Sequence, residues 1–157
     1  MMDVGYKAVA LANYLKSKKL FCKNQFDFFI GQITPQYSNK RITPGSIRIA
    51  RLKYTADFYI ENIKNGEILP PLILAWLMDN DYKRDTDKLS PPVFTIEQIN
   101  ERNAETVNIE FEIEFFEDQI ITKDPKGIID YNGEKYALQP PEIKDIEVIN
   151  VKGRVND

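Results

Sequence analysis

The stretch "VNIEFEIEFFED", Val107 to Asp118, alternates apolar and polar residues more cleanly than any other part of the chain. Ile109, Phe111, Ile113 and Phe115 fall on one side of an extended backbone, and Asn108, Glu110, Glu112 and Glu114 on the other. Successive strand side chains point to opposite faces, so this segment reads as a strand with one buried face and one wet face. Half-buried strands of this kind belong to antiparallel sheets. The Ile/Phe face then needs an apolar layer laid against it.

"LPPLILAWLMDND", Leu69 to Asp81, supplies that layer and holds the single tryptophan, Trp76. Its apolar run from Ile68 to Met78 is too short for a bilayer, which takes roughly 20 residues as a helix. Pro70 and Pro71 suit a helix's first turn. Leu69, Ile73, Trp76 and Leu77 make the main face, and Leu74 and Met78 widen it. A helix apolar nearly all round is expected to be buried on more than one side, with Trp76 as a core anchor.

Upstream, "IRIARLKYTADFYIENI" (Ile47 to Ile63) reads as a long strand. Leu52, Tyr54, Ala56, Phe58 and Ile60 share its core face; Arg51, Lys53, Thr55, Asp57 and Tyr59 share the other. Ile47 and Ile49 have the opposite parity, which predicts a bulge or bend near Ala50. "SNKRITPGS" (Ser38 to Ser46) reads as a loop with a turn at Pro44-Gly45, and "QFDFFIGQI" (Gln25 to Ile33) as a strand. The first helix runs from a cap at Asp3 to about Lys19 with an apolar stripe at Val4, Ala8, Leu11 and Leu15. Lys16, Lys18 and Lys19 sit near its C-terminus, where cations suit the helix dipole.

Downstream, "DNDYKRDTDKLSPP" is a polar loop, "VFTIEQI" (Val93 to Ile99) a strand, and "GIIDYNGEKYAL" (Gly127 to Leu138) a hairpin turning at Asn132-Gly133. After Pro140-Pro141, "IKDIEVINVKG" reads as one edge strand. The expected fold is α+β: an antiparallel or mixed sheet with two main helices on one face and a C-terminal β-hairpin extension. Residues 1–122 form the main domain and 123–157 the extension packed on or beside it.

Composition narrows the function. The chain has 157 residues, 43% hydrophobic and 29% charged, as expected of one soluble globular domain. Its beginning reads as an amphipathic helix rather than a signal peptide. A single cysteine, Cys22, leaves no intrachain disulfide and points to a reducing cytoplasm; it reads as a small buried or incidental thiol. With no histidine, the commonest general base and transition-metal ligand is missing.

Motifs for chemistry fail at their diagnostic places. Asp79, Asp81, Asp85 and Asp87 invite calcium, but Lys83 and Arg84 stand where an EF-hand loop needs an acceptor and a glycine. Glu110, Glu112 and Glu114 share a face without the contrast of environments that a glycosidase pair requires. Gly133-Glu134-Lys135 lacks the phosphate-loop spacing. The helix lysines lack the aromatic interleaving of a nucleic-acid surface, and the overall charge is −3. No catalytic residue, cofactor or metal site is assigned.

Charge is nevertheless uneven: residues 1–62 carry ten Lys/Arg against four Asp/Glu, and residues 63–121 five against thirteen. Such polarity describes either a solvated surface or a subunit whose basic part meets the acidic part of a neighbour.

The order of long strand, Pro-containing helix and strand pair resembles the tail completion protein R family of contractile-tailed, Peduovirus-type phages. "PLILAWLMDN" carries the resemblance most clearly, with "TVNIEFEIEFFEDQII" next. It covers about residues 47–121; the hairpin and tail after Lys123 lie outside it. The resemblance implies a tail-terminator-like virion structural protein without catalytic residues, which finishes the head-proximal end of the tail and prepares it to join a filled head. It also implies assembly in the host bacterial cytoplasm, a place in the virion tail, and no membrane. The partners would be further copies in a cyclic, hexameric ring, the tail tube protein and another completion or neck protein, with no sequence-specific nucleic acid. Interface candidates are Arg48, Arg51 and Lys53 on one patch and Glu110, Glu112 and Glu114 on the other; the alternative pairs the two groups within one sheet. Two other readings stand beside this one: another neck or baseplate component, or a small cytoplasmic ligand-binding or hydrolytic domain using Asp79, Asp81 and Asp85 with a metal.

Overall fold

The computed structural model describes residues 4–98 and 105–141. Its helices are α1 (Tyr6–Ser17) and α2 (Leu69–Asn80). Its strands are β1 (Phe26–Ile30), β2 (Thr34–Thr43), β3 (Ser46–Lys64), β4 (Val93–Gln98), β5 (Thr106–Lys123), β6 (Ile129–Tyr131) and β7 (Glu134–Leu138). All seven strands join one antiparallel sheet. β3 and β5 pair along nearly their whole lengths and form its spine. The other edge of β3 is shared by β1 and β2, and that of β5 by β4 and β7, with β6 closing a hairpin on β7. The expected α+β class, with a C-terminal hairpin, is what forms.

Alternation explains the main core. Tyr54, Ala56, Phe58 and Ile60 of β3 and Ile109, Phe111, Ile113 and Phe115 of β5 all face the helices and are buried. Ala8, Leu11 and Leu15 of α1 and Leu69, Ile73, Trp76 and Leu77 of α2 close over them. Aromatic rings run across the strands, with Phe58 stacked on Phe111 at 4.8 Å and on Phe28 at 5.5 Å. Such pairs add to the area they bury.

A second cluster lies toward the hairpin end, where Ile47, Ile121 and Tyr136 are buried with Ile49, Ile129 and Tyr131 around them. The bulge between the two clusters falls where parity predicts it, since the β3–β5 register shifts between Arg48 and Ala50. On the helix side of the shift, even-numbered β3 residues oppose odd-numbered β5 residues, as Leu52 opposes Glu117; beyond it Ile47 opposes Ile121. One extra residue keeps both apolar sets on the same face. At the hairpin, Asn132 and Gly133 have φ of 55° and 79°, the two positive values a type I′ turn requires.

Three readings need correction. "SNKRITPGS" is mostly strand: β2 pairs with the first half of β3, and only the Pro44-Gly45 turn stands. Its side chains are nearly all exposed, so an edge strand wet on both faces carries a loop-like composition. α2 is buried on one side only, with Leu74 39% and Met78 74% exposed. The first strand ends at Ile30, although the Gly31 N–H still donates to the Thr55 carbonyl at 2.8 Å. Cys22 is exposed, which removes the buried alternative for that thiol and leaves the incidental one. Asp3 and the "IKDIEVINVKG" segment lie outside the described residues. Among the described residues no helix is long and apolar enough to cross a membrane.

Candidate functional site

Past Phe115 charged side chains enter both faces of the spine, Arg51 and Asp118 on the outer and Glu117 on the inner. On the outer face, away from the helices, Arg51 sits opposite Asp118 in the ladder. Its Nε donates to Asp118 at 2.8 Å, and its two terminal nitrogens donate to Asp87 of the α2–β4 loop at 3.0 and 2.8 Å. The guanidinium also lies 4.3 Å from the Phe116 ring centroid. Phe116 is thereby covered by a cation and excluded from water although it lies on the outer face. Hydrogen bonding to Arg51 holds the Asp87 carboxyl below the usual range.

The other basic candidates are engaged nearby. Arg48 donates to Ser38 at 2.6 Å and approaches Asp118 at 3.6 Å; Lys53 approaches Glu114 at 3.7 Å. Glu114 also accepts the Ser90 N–H at 2.8 Å, and this backbone bond lowers its pKa. Thus Arg48, Arg51, Lys53 and Glu114 all find partners within the chain. Asp118 and Asp87 take a larger share of that pairing than the glutamates the alternation singles out.

Glu110 and Glu112 are arranged differently. Glu112 lies directly opposite Asp57 in the ladder, and Glu110 opposite Tyr59. Neither glutamate has a Lys or Arg within ion-pair distance among the described residues. The neighbouring Asp57 charge raises the Glu112 pKa, as expected where like charges face each other across strands. Phe29 on β1 and Val93 on β4 flank this pair, 55% and 57% exposed, and complete one row across four strands: Phe29, Asp57, Glu112, Val93.

Two carboxylates are buried, Glu117 on the inner face of β5 and Asp81 at the C-terminal end of α2. Glu117 accepts the Gly5 and Lys7 N–H groups at 2.8 and 2.9 Å and the Tyr54 hydroxyl. It serves as the N-terminal cap of α1 in place of a residue next to the helix. Burial raises its pKa, and these hydrogen bonds oppose the rise. Asp81 accepts from Lys7 Nζ and Arg84, each at 2.7 Å. Asp81 and Asp87 therefore spend their oxygens on the chain's own cations. Trp76, 3% exposed, packs beside Tyr14 at 6.3 Å, and its Nε1 finds no acceptor among the described residues.

Parity could have found Glu117, which shares the odd numbering of Ile109 to Phe115; what it accepts there depends on tertiary contacts. At the hairpin end an open polar cleft of about 300 Å³ is lined in part by Asn39, Arg41, Lys123 and Glu134. Lys123 and Glu134 pair there at 3.0 Å.

No curated protein and no solved structure matches the chain significantly. A family model described as P2 phage tail completion protein R (GpR) matches residues 5–140, which takes in α1 and the β6–β7 hairpin as well as the central elements. That family is one of phage tail structural proteins, working through contacts with other tail proteins. The match spans nearly the whole chain, and the protein belongs to the phage tail completion protein R family.

Proposed function

We propose that this protein completes the head-proximal end of a phage or prophage tail as a cyclic, hexameric ring on the tail tube and prepares that end for joining to the head. It acts by protein–protein contact without catalysis, assembling in the host cytoplasm with the tube protein and a second completion or neck protein. The family match over residues 5–140 carries this reading. The two-faced shape supports it: a closed ring uses head-to-tail contacts between two different patches of one chain. Of the six interface candidates, Glu110 and Glu112 turn toward a neighbour in this reading. Arg48, Arg51, Lys53 and Glu114 brace the surface from within.

Electron microscopy of lysates from a phage with this gene deleted tests the proposal. Heads and tails accumulating separately, with tails of irregular length or ragged upper ends, are the expected result. Normal joined particles would refute it.

A further inference from the structure

The outer face around Glu110 and Glu112 is the side of the sheet turned away from α1 and α2. Asp27, Asp57, Glu97, Glu110 and Glu112 lie on its four strands with no cation in ion-pair distance among the described residues. Asp57 Oδ1 is buried at the atom level and has no hydrogen-bond partner among those residues. Exposed Phe29 and Val93 border the acids. A carboxylate facing a carboxylate is unfavourable in the isolated subunit, and a cation arriving from outside relieves it.

The same chain carries the complement. Lys16, Lys18, Lys19 and Lys23 follow one another through the end of α1 and the short turn after it, all exposed. None has an acid in ion-pair distance among the described residues. Lys16 and Lys18 lie over the rings of Phe26 and Tyr14, at 5.5 and 4.7 Å. Partly exposed Leu20 sits among these lysines as an apolar counterpart to Phe29 and Val93. The basic cluster belongs to the helix layer and the acids to the opposite face of the sheet. A two-fold contact through either patch would set like charges against each other, whereas a head-to-tail contact pairs opposite charges.

We propose that the acidic sheet face around Glu110 and Glu112 receives the Lys16–Lys23 cluster of a second copy of this chain. This rests on the ring reading and names its contact surfaces.

The test uses the full chain in light scattering and sedimentation at low and high salt. One variant carries Asp27→Lys, Glu97→Lys, Glu110→Lys and Glu112→Lys; the other carries Lys16→Glu, Lys18→Glu, Lys19→Glu and Lys23→Glu. Each alone repels itself and is expected to run as a folded monomer, with at least ten-fold weaker association than the parent. An equimolar mixture restores opposite charges at every contact and is expected to reassemble. So is one chain carrying all eight reversals. A parent-like circular dichroism spectrum and a cooperative melt establish that the variants fold.

Variants that associate like the parent, or folded variants whose mixture stays monomeric, would overturn the proposal. So would a parent chain that is monomeric at every salt concentration and protein concentration. Adding the parent protein to a deletion lysate decides the broader reading separately: restored joining with a monomeric parent overturns this surface alone, and no restoration overturns tail completion.

Discussion

Glu117 accepts the backbone N–H of Gly5, 112 residues earlier in the chain, at 2.8 Å. The first helix is therefore capped by the sheet on which it lies, and α1 cannot acquire its cap before β5 is in place. Gly5 is fitted to the meeting point by its φ of 99°, and a Cβ there would also displace the Ile30 terminal methyl. Glu117→Ala should lose about 2–4 kcal/mol of stability, because it strands buried donors as well as removing a cap. Urea unfolding followed by circular dichroism measures this, and Glu117→Gln, which keeps one acceptor, should lose less.

The pH dependence has two opposed contributions. Burial raises the Glu117 pKa, so the folded chain binds that proton more tightly than the unfolded one. Its contribution to stability falls as pH rises from the ordinary carboxylate range through the raised value. Asp87 is shifted down by Arg51, and its contribution is lost as pH falls from that range toward the depressed value. Thermal melts from acid to neutral pH should show Asp87→Asn removing the acid-side loss and Glu117→Gln removing the fall above it.

Trp76→Ala should cost about 3–5 kcal/mol. Trp76→Phe should cost clearly less, because the indole N–H has no acceptor to lose among the described residues. Chemical denaturation of the purified chain compares the two, and equal losses would refute the packing account.

The two sides of α2 should answer differently to substitution. Ile73 is fully buried, and Ile73→Ala should cost about 2–5 kcal/mol. Met78→Ser, on the exposed side, should stay within about 0.5 kcal/mol of the parent. Thermal unfolding of both variants checks this.

Most of the sheet was legible because its two longest strands are wet on one face. Period-two alternation in Val107–Asp118 and Leu52–Ile60 identified the core side residue by residue, and the change of parity at Ile47 located the bulge. β2 was illegible for the converse reason: an edge strand with both faces in water has no alternation to show. α2 misled through composition, since Leu74 and Met78 are as apolar as Ile73 but point outward. The braces could be read only in part. Arg51 and Lys53 were visible as outward cations, but their acids come from β5 and from a loop 36 residues away from Arg51, at Asp87. Pairing of that kind is set by folding rather than by local pattern.

β3 and β5 pass from the helix-covered body to the hairpin end as strands of 19 and 18 residues, interrupted by no loop. At about 3.3 Å per residue each is roughly 60 Å long. The hairpin end is accordingly a cantilever built into the body, not a flap tied to it. A load applied at the Asn132-Gly133 turn passes through the short β7 ladder into the β3–β5 pair, and pulling along that pair loads its hydrogen bonds in shear. Stiffness at one end of the molecule is thus inherited from the packing at the other.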